Sequence, residues 1–355
     1  MPRTVGNVSV YMGPHTLNAP DNLEEAIVSF IDQAKNNLDV AVQELESRRI
    51  AEALIQAKGR RVKVRVVLEG DYLAAETRRP DPFQPGGAHE PNRELFAALL
   101  RAKIDVRTDY NPEIFHQKFI MRDIDKGKTA LLTGSTNFTP TGTHQNLNHL
   151  VVVHGKRLAK KYAEEFEEIW GGTFGTAGLR HDPKPSELTV SGVRVKALFA
   201  PDHSPEMEIM KQMLKAKRRV DFAIFTFAQS SGIDDTMIAL QRAGVAVRGI
   251  VDSGQGNREW AATRPVRNAG GELYLARRGE GLNKLHHKLM VIDGQLIIAG
   301  SFNYTAPANR LNDENILILG KLDEVKQDSI QKQKKLGAYA LAEIDRMILQ
   351  HGQPA

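Results

Sequence analysis

Two short stretches of this sequence carry the same reactive set. The segment FHQKFIMRD supplies His116, Lys118 and Asp123 and is followed by GSTN, with Gly134, Ser135 and Asn137. The segment HHKLMVID supplies His286, Lys288 and Asp293 and is followed by GSFN, with Gly300, Ser301 and Asn303. An imidazole serves as nucleophile or as general acid and base near neutral pH. On a strand, residues two apart project to the same face, so each His arrives with an ammonium beside it. That pair suits a phosphate. The Asn of the following turn can donate to the same anion, and the small Gly and Ser let the backbone come close. Two copies facing each other across a pseudo-twofold axis would surround one phosphorus with two His, two Lys and two Asn, making a composite site complete within one chain; the oligomeric state is left open.

The copies are offset by 170 residues from His116 to His286 and by 166 from Gly134 to Gly300. An insertion in RDIDKGKT, where the second copy has a tighter turn around Gly294, accounts for the difference, and duplication accounts for the rest. Symmetry fails after the turns, where Asn312, Asp313 and Glu314 stand opposite Asn146, Leu147 and Asn148. Asp123 and Asp293 sit an odd number of residues beyond each Lys, away from the His face, and are expected to support the turns, as Ser135 and Ser301 support the site. His287 points to the opposite strand face, where the other copy has Gln117. Two Lys in one cluster repel a divalent cation, and the chain has no Cys, which removes thiolate metal sites, disulfides and cysteine nucleophiles. No metal and no cofactor is expected.

The doubled motif resembles the phospholipase D superfamily, and the resemblance runs through both halves, including FEEIW near residue 170 and NDENILIL from Asn312. It implies a metal-independent phosphodiesterase that works through a phosphohistidine, with His116 as nucleophile and His286 as general acid and then base. Lys118, Lys288, Asn137 and Asn303 would hold the phosphate. The acidic residue near this place in the superfamily implies that Glu314 orients one of the two imidazoles, although the sequence does not say which.

The elements that must position these residues follow from periodicity. Asp21 to Lys35 places Leu23, Ala26, Ile27, Phe30 and Ile31 on one helical face, and Asp21 with Glu24 makes a capping-box pattern. A strand from Leu38 to Val42, a helix from Arg49 to Lys58 ended by Gly59 and a strand from Val62 to Leu68 follow. The order repeats with a helix starting at Ser204-Pro205, a strand from Val220 to Phe227, a helix ended by Gly244 and a strand from Val245 to Val251. Strands at Ile104 to Thr108 and Glu272 to Ala276 then lead into the motifs. The expected fold class is therefore α/β, with two similar lobes, each a mixed β-sheet flanked by helices on both faces, related by a pseudo-twofold axis with the site between them. The expected divisions are a first lobe at 1–172, a linker at 173–191, a second lobe at 192–322 and a C-terminal helical segment at 323–355 that is interrupted near Gly337. Tyr72 to Asn92 and Ser253 to Ala269 read as loops.

The chain has 355 residues, 41% apolar and 26% charged, with 48 Lys and Arg against 43 Asp and Glu. This composition fits a globular protein with a sizeable core. No apolar run is long enough for a spanning helix and the N-terminus lacks a signal-peptide core, so a cytoplasmic location is expected. The net charge of +5 is a mild bias towards acidic partners. Around the second motif Arg264, Arg267, Arg277 and Arg278, with Trp260 for base stacking, make a basic patch that could track a nucleic-acid backbone. Nucleic acid is the favoured partner and a nuclease the favoured activity. The alternative is a phospholipase D acting at a phospholipid surface, for which Tyr72, Leu73 and Phe83 are the candidate rim.

Overall fold

A computed structural model describes residues 1–74, 81, 83–178 and 185–355. Parts of two expected segments, the loop after Tyr72 and the linker, lie outside these residues.

Each half builds one mixed sheet, and the two nine-stranded sheets repeat the same order, the ninth strand of the first being Lys284–Leu285 from the second half. In the first, the path runs through Arg3–Val5, Val8–Gly13, Asn146–Val153, Ala130–Gly134, Lys118–Arg122, Asn37–Val42, Lys63–Leu68 and Asp105–Thr108. In the second it runs through Leu188–Val190, Val193–Ala200, Glu314–Leu319, Leu296–Gly300, Lys288–Ile292, Arg219–Ile224, Ala246–Asp252 and Glu272–Ala276, with Gly352–Pro354 added at the end. In each sheet the motif strand lies at the centre, antiparallel to both neighbours. These central strands are buried throughout, including the Lys that opens each and the Arg122 that ends the first. The hairpin after the motif strand spans residues 123–129 in the first half and 293–295 in the second, which places the four-residue insertion where the sequence offset puts it.

Helices cover both faces. The outer face of the first sheet packs on Leu23–Asp32, Arg48–Gly59 and Glu90–Arg101, and that of the second on Pro205–Met213, Gly232–Arg242 and Thr263–Asn268. The two inner faces share one core built from both halves, containing Val10, Phe119, Tyr162, Phe199, Leu289 and Leu336. The helices Lys156–Gly171 and Gln327–His351 run through this shared layer and touch both sheets. They are counterparts: the buried pair Asp39–Arg65 reaches Glu167 on one, and Asp221–Arg248 reaches Asp345 on the other.

The C-terminal segment is thus the second closing helix, followed by a strand of the second sheet. It is not interrupted at Gly337. A Cβ there would lie 2.3 Å from the Gly294 carbonyl oxygen, so the glycine lets the helix approach the hairpin behind the second motif. Other differences are local. Asn22, not Asp21, caps the first helix by accepting from the Glu25 N–H, because Asp21 is taken by the Met12 N–H and the Tyr339 hydroxyl. The 253–269 stretch holds the short helices Ser253–Gly256 and Thr263–Asn268, and the end of the expected linker forms the edge strand Leu188–Val190. The strand expected to reach Phe227 ends at Ile224, which frees Phe225 to turn into the cleft.

Candidate active site

Both motif histidines are mounted on the opposite sheet. Lys284–Leu285 pairs in parallel with Asn146–Leu147, and Phe115 bridges in parallel to Asp313. The His286 N–H donates to the Leu147 carbonyl at 2.9 Å and the His116 N–H to that of Asp313 at 3.0 Å. Buried carboxylates hold the residue ahead of each His: Glu69 accepts from the Phe115 N–H at 2.6 Å, and Asp252 from the Leu285 N–H at 3.1 Å. This crossing brings the two imidazoles to a centroid separation of 6.5 Å at an interplanar angle of 72°.

The residue after each crossing point touches the ring. Glu314 Oε2 lies 2.8 Å from His116 Nδ1. His286 Nδ1 lies 3.1 Å from both the Asn148 Oδ1 and the Ser135 carbonyl. Two groups that only accept require a proton on His286 Nδ1, and Glu314, in the ionised form that Lys118 and Lys288 favour, requires the same of His116. Each ring then keeps Nε2 for the cleft. Glu314 therefore serves His116, which the sequence alone left open.

The ammoniums lie behind the rings. Lys118 Nζ donates to the Gln43 Oε1 at 3.0 Å and the His116 carbonyl at 2.9 Å, whereas Lys288 Nζ donates to the His286 carbonyl at 3.0 Å and sits 5.0 Å over the Phe225 ring. Both lysines are buried, and among the described residues neither has a carboxylate oxygen within 4 Å. Burial pushes Lys118 down to about 7 and Lys288 well below its ordinary value, the latter also through repulsion from Lys118. The same burial, joined by the two ammoniums, depresses both imidazoles. Burial pushes Glu314 up to about 8 against the pull of Lys118. Glu314, held on His116, faces both ammoniums without touching either, so the centre carries more positive than negative charge and is a place that an anion completes.

The remaining expected residues sit on turns and at strand ends. Asn137 and Asn303 occupy equivalent turns: the Asn303 Oδ1 accepts from the Thr226 N–H at 3.3 Å, and the Asn137 Oδ1 is buried without a partner. Gly134 and Gly300 are pressed against the neighbouring strand, where a Cβ would meet the His149 or Asn315 carbonyl oxygen at 2.2 Å; the strand, rather than a ligand, requires glycine there. Asp123 and Asp293 accept backbone N–H groups of Lys35 and Asn36, and of Lys217, Arg218 and Arg219, at the far ends of the motif strands. The basic patch is divided. Arg277 bonds Gln353, Arg278 bonds Asp252, and Arg267 bonds the Ala355 carbonyl, while Arg258, Arg264 and Arg267 line a separate cavity of about 420 Å³; Trp260 is half exposed. Sequence reasoning missed Gln43 and Phe225, which occupy equivalent positions immediately after NLDVAV and RVDFAI; aligning those strands on their shared Asp would have found them.

A family model described as cardiolipin synthase, phospholipase D-like domain, matches residues 27–170 and 209–333, each stretch containing one complete motif. The chain belongs to the phospholipase D-like family. It is 27% identical over 157 residues to a mitochondrial cardiolipin hydrolase of Xenopus tropicalis, covering 44% of this chain and 63% of that one. It is 31% identical over 147 residues to a phospholipase D of Rickettsia conorii, covering 41% of this chain and 64% of that one. The chain thus spans less than two thirds of the length of these relatives. The crystal structure of a phosphatidylserine synthase from Haemophilus influenzae superposes with a TM-score of 0.67 over 100% of this chain and 89% of that one, at 14% identity, a likeness of fold. Its doubled sheets are the fold that it shares with that synthase.

Proposed function

We propose that this chain cleaves the head-group phosphodiester of a phospholipid through a phosphohistidine on His116. The observation that carries the chemistry is the pair of buried, carboxylate-free ammoniums beside two facing imidazoles whose Nδ1 atoms are already engaged. A phosphodiester supplies the missing negative charge, and its phosphorus falls between the two Nε2 atoms. His116 Nε2 attacks phosphorus and forms a P–N bond while the P–O bond to the leaving alcohol breaks. His286, protonated on Nε2, gives that proton to the departing oxygen. The neutral His286 then takes a proton from water, whose oxygen attacks phosphorus as the P–N bond breaks, and His116 is restored. Glu314 suits His116 to attack, because a carboxylate on Nδ1–H stabilises the positive charge of the phosphorylated ring; the neutral Asn148 leaves His286 freer to give up its proton.

The lipid reading draws on the names of the relatives and on the loop leading into His116, where Tyr110 and Ile114 are exposed. Phe83 is exposed as well, whereas Tyr72, of the expected rim, packs on His89 and accepts from the Gln43 amide. Nucleic acid remains the second reading, favoured by the cavity lined by Arg258, Arg264 and Arg267. Parallel incubation with vesicles of phosphatidylcholine and cardiolipin, and with labelled single- and double-stranded DNA and RNA, separates the two. Head-group or phosphatidate release that is absent from His116→Ala is the expected outcome. Nucleic-acid cleavage with intact vesicles would replace the lipid reading.

A further inference from the structure

Behind the two catalytic rings lies a second pair of imidazoles that the proposed chemistry does not use. His149 and His287 are fully buried, their rings stack at 5.3 Å, and their Nδ1 atoms are 3.1 Å apart. The equivalent place in the other half holds an amide pair, in which the Asn315 Nδ2 donates to the Gln117 Oε1 at 2.7 Å.

The donors in this region form a directed chain. The Gly300 N–H donates to His149 Nε2 at 3.1 Å, so that nitrogen is an acceptor and a neutral His149 carries its proton on Nδ1. Burial pushes His149 down to about 3, which keeps the ring neutral. The His149 Nδ1–H is shared between two acceptors, His287 Nδ1 at 3.1 Å and the Ser135 Oγ at 3.2 Å, and the Ser135 Oγ also accepts the His149 backbone N–H at 3.0 Å. With two donors on one side, the Ser135 hydroxyl turns its own proton to the remaining partner, the Asn148 Oδ1 at 2.8 Å. The Asn148 Nδ2 donates to the Gly142 carbonyl at 2.8 Å, which fixes the amide with Oδ1 towards His286 Nδ1–H.

We infer that His149 is a positioning residue for the general acid: through Ser135 and Asn148 it fixes the ring and tautomer of His286. The inference rests on the assignment of His286 as the acid and adds the group that holds it. Physical reason requires such a device in this half alone. Glu314 offers two like oxygens and aligns His116 whichever way it is turned, whereas a carboxamide has one accepting and one donating end and must be held the right way round.

The test is a leaving-group series of aryl phosphodiesters with p-nitrophenyl, p-chlorophenyl and phenyl groups. The p-nitrophenolate departs without a proton and the phenolate needs one, so loss of acid function steepens the dependence of kcat on leaving group. His149→Phe is expected to lose about tenfold or more on the phenyl ester relative to the p-nitrophenyl ester, with KM little changed. Ser135→Ala should show the same split, and the double variant should be no steeper than either single one. Should His149→Phe fail to fold, the double variant His149→Asn with His287→Gln installs the amide pair that the other half already tolerates, and it should show the split too. Parallel losses on all three esters, or a wild-type slope in these variants, would overturn the positioning role. His286→Asn is the reference: a steep slope there with a flat one in the His149 variants defeats this inference alone, and a flat slope in His286→Asn defeats the acid assignment on which it rests.

Discussion

At the residue scale the two histidines have matching motifs and unlike partners, and their variants should fail differently. His116→Ala removes the attacking nitrogen and should give no covalent adduct. His286→Asn should still attack a diester with a good leaving group and then clear the adduct slowly, so that a phosphorylated His116 accumulates and is seen by mass spectrometry after quenching. An adduct on His286 in the His116→Ala protein would exchange the roles. The lysines make a second prediction. A buried ammonium without a carboxylate costs stability until an anion arrives, so Lys288→Met should raise the thermal midpoint of the anion-free protein, by roughly 2–4 °C for each kcal/mol relieved. It should also abolish stabilisation by phosphate; a lowered midpoint would show that the ammonium is already compensated. The paired His and Lys residues were legible in sequence because their chemistry lies in residue type and spacing. The partner of Glu314 was not, because it depends on Phe115 bridging to Asp313 of the other half, a pairing between segments about 200 residues apart.

At the element scale, repetition made most of the fold readable and local grammar misled in a few places. The strands and helices before each motif were legible because apolar periodicity and glycine stops are local signals. The role of Gln327–His351 was not, since a glycine in a helical pattern reads as a break until the neighbour it accommodates is known. Gly337 separates two opposed effects: alanine favours a helix over glycine by about 1 kcal/mol, yet its methyl would overlap the Gly294 carbonyl oxygen. A backbone oxygen at 2.3 Å cannot yield without moving the hairpin behind the second motif, so the steric term dominates. Gly337→Ala should lower the denaturant midpoint by the equivalent of about 1–3 kcal/mol, and a gain in stability would show that the helix stands off the hairpin. Asp21 is the same lesson in reverse. Its capping pattern was visible, but Tyr339, 318 residues away, claims its carboxylate, and Asn22 takes over the cap.

At the scale of the whole molecule, the shared inner core and the crossed strands make the halves one cooperative unit, with the unpaired ammoniums at its centre. Unfolding should therefore follow a single calorimetric transition whose midpoint phosphate raises; two transitions would mean that the halves come apart separately. The pH dependence of that midpoint follows from the signs. Lys118, at about 7 in the fold, and Lys288, also depressed, bind fewer protons folded than unfolded up to the ordinary lysine value, so their contribution makes the anion-free protein more stable as pH rises through that window. Glu69 and Glu314, raised to about 8, bind more protons folded than unfolded between the ordinary carboxyl value and 8 and act in the opposite sense there. Between about pH 8 and 9.5, above the carboxyl window and below the ordinary tyrosine value, the lysine contribution is left. The midpoint without anion should climb across that interval, while the increment gained from phosphate shrinks, because phosphate needs the ammoniums that deprotonation removes. The double variant Lys118→Met with Lys288→Met should flatten both trends. If the climb persisted there, it would belong to groups outside the cleft, and the two ammoniums could not be the charge that the substrate phosphate is built to meet.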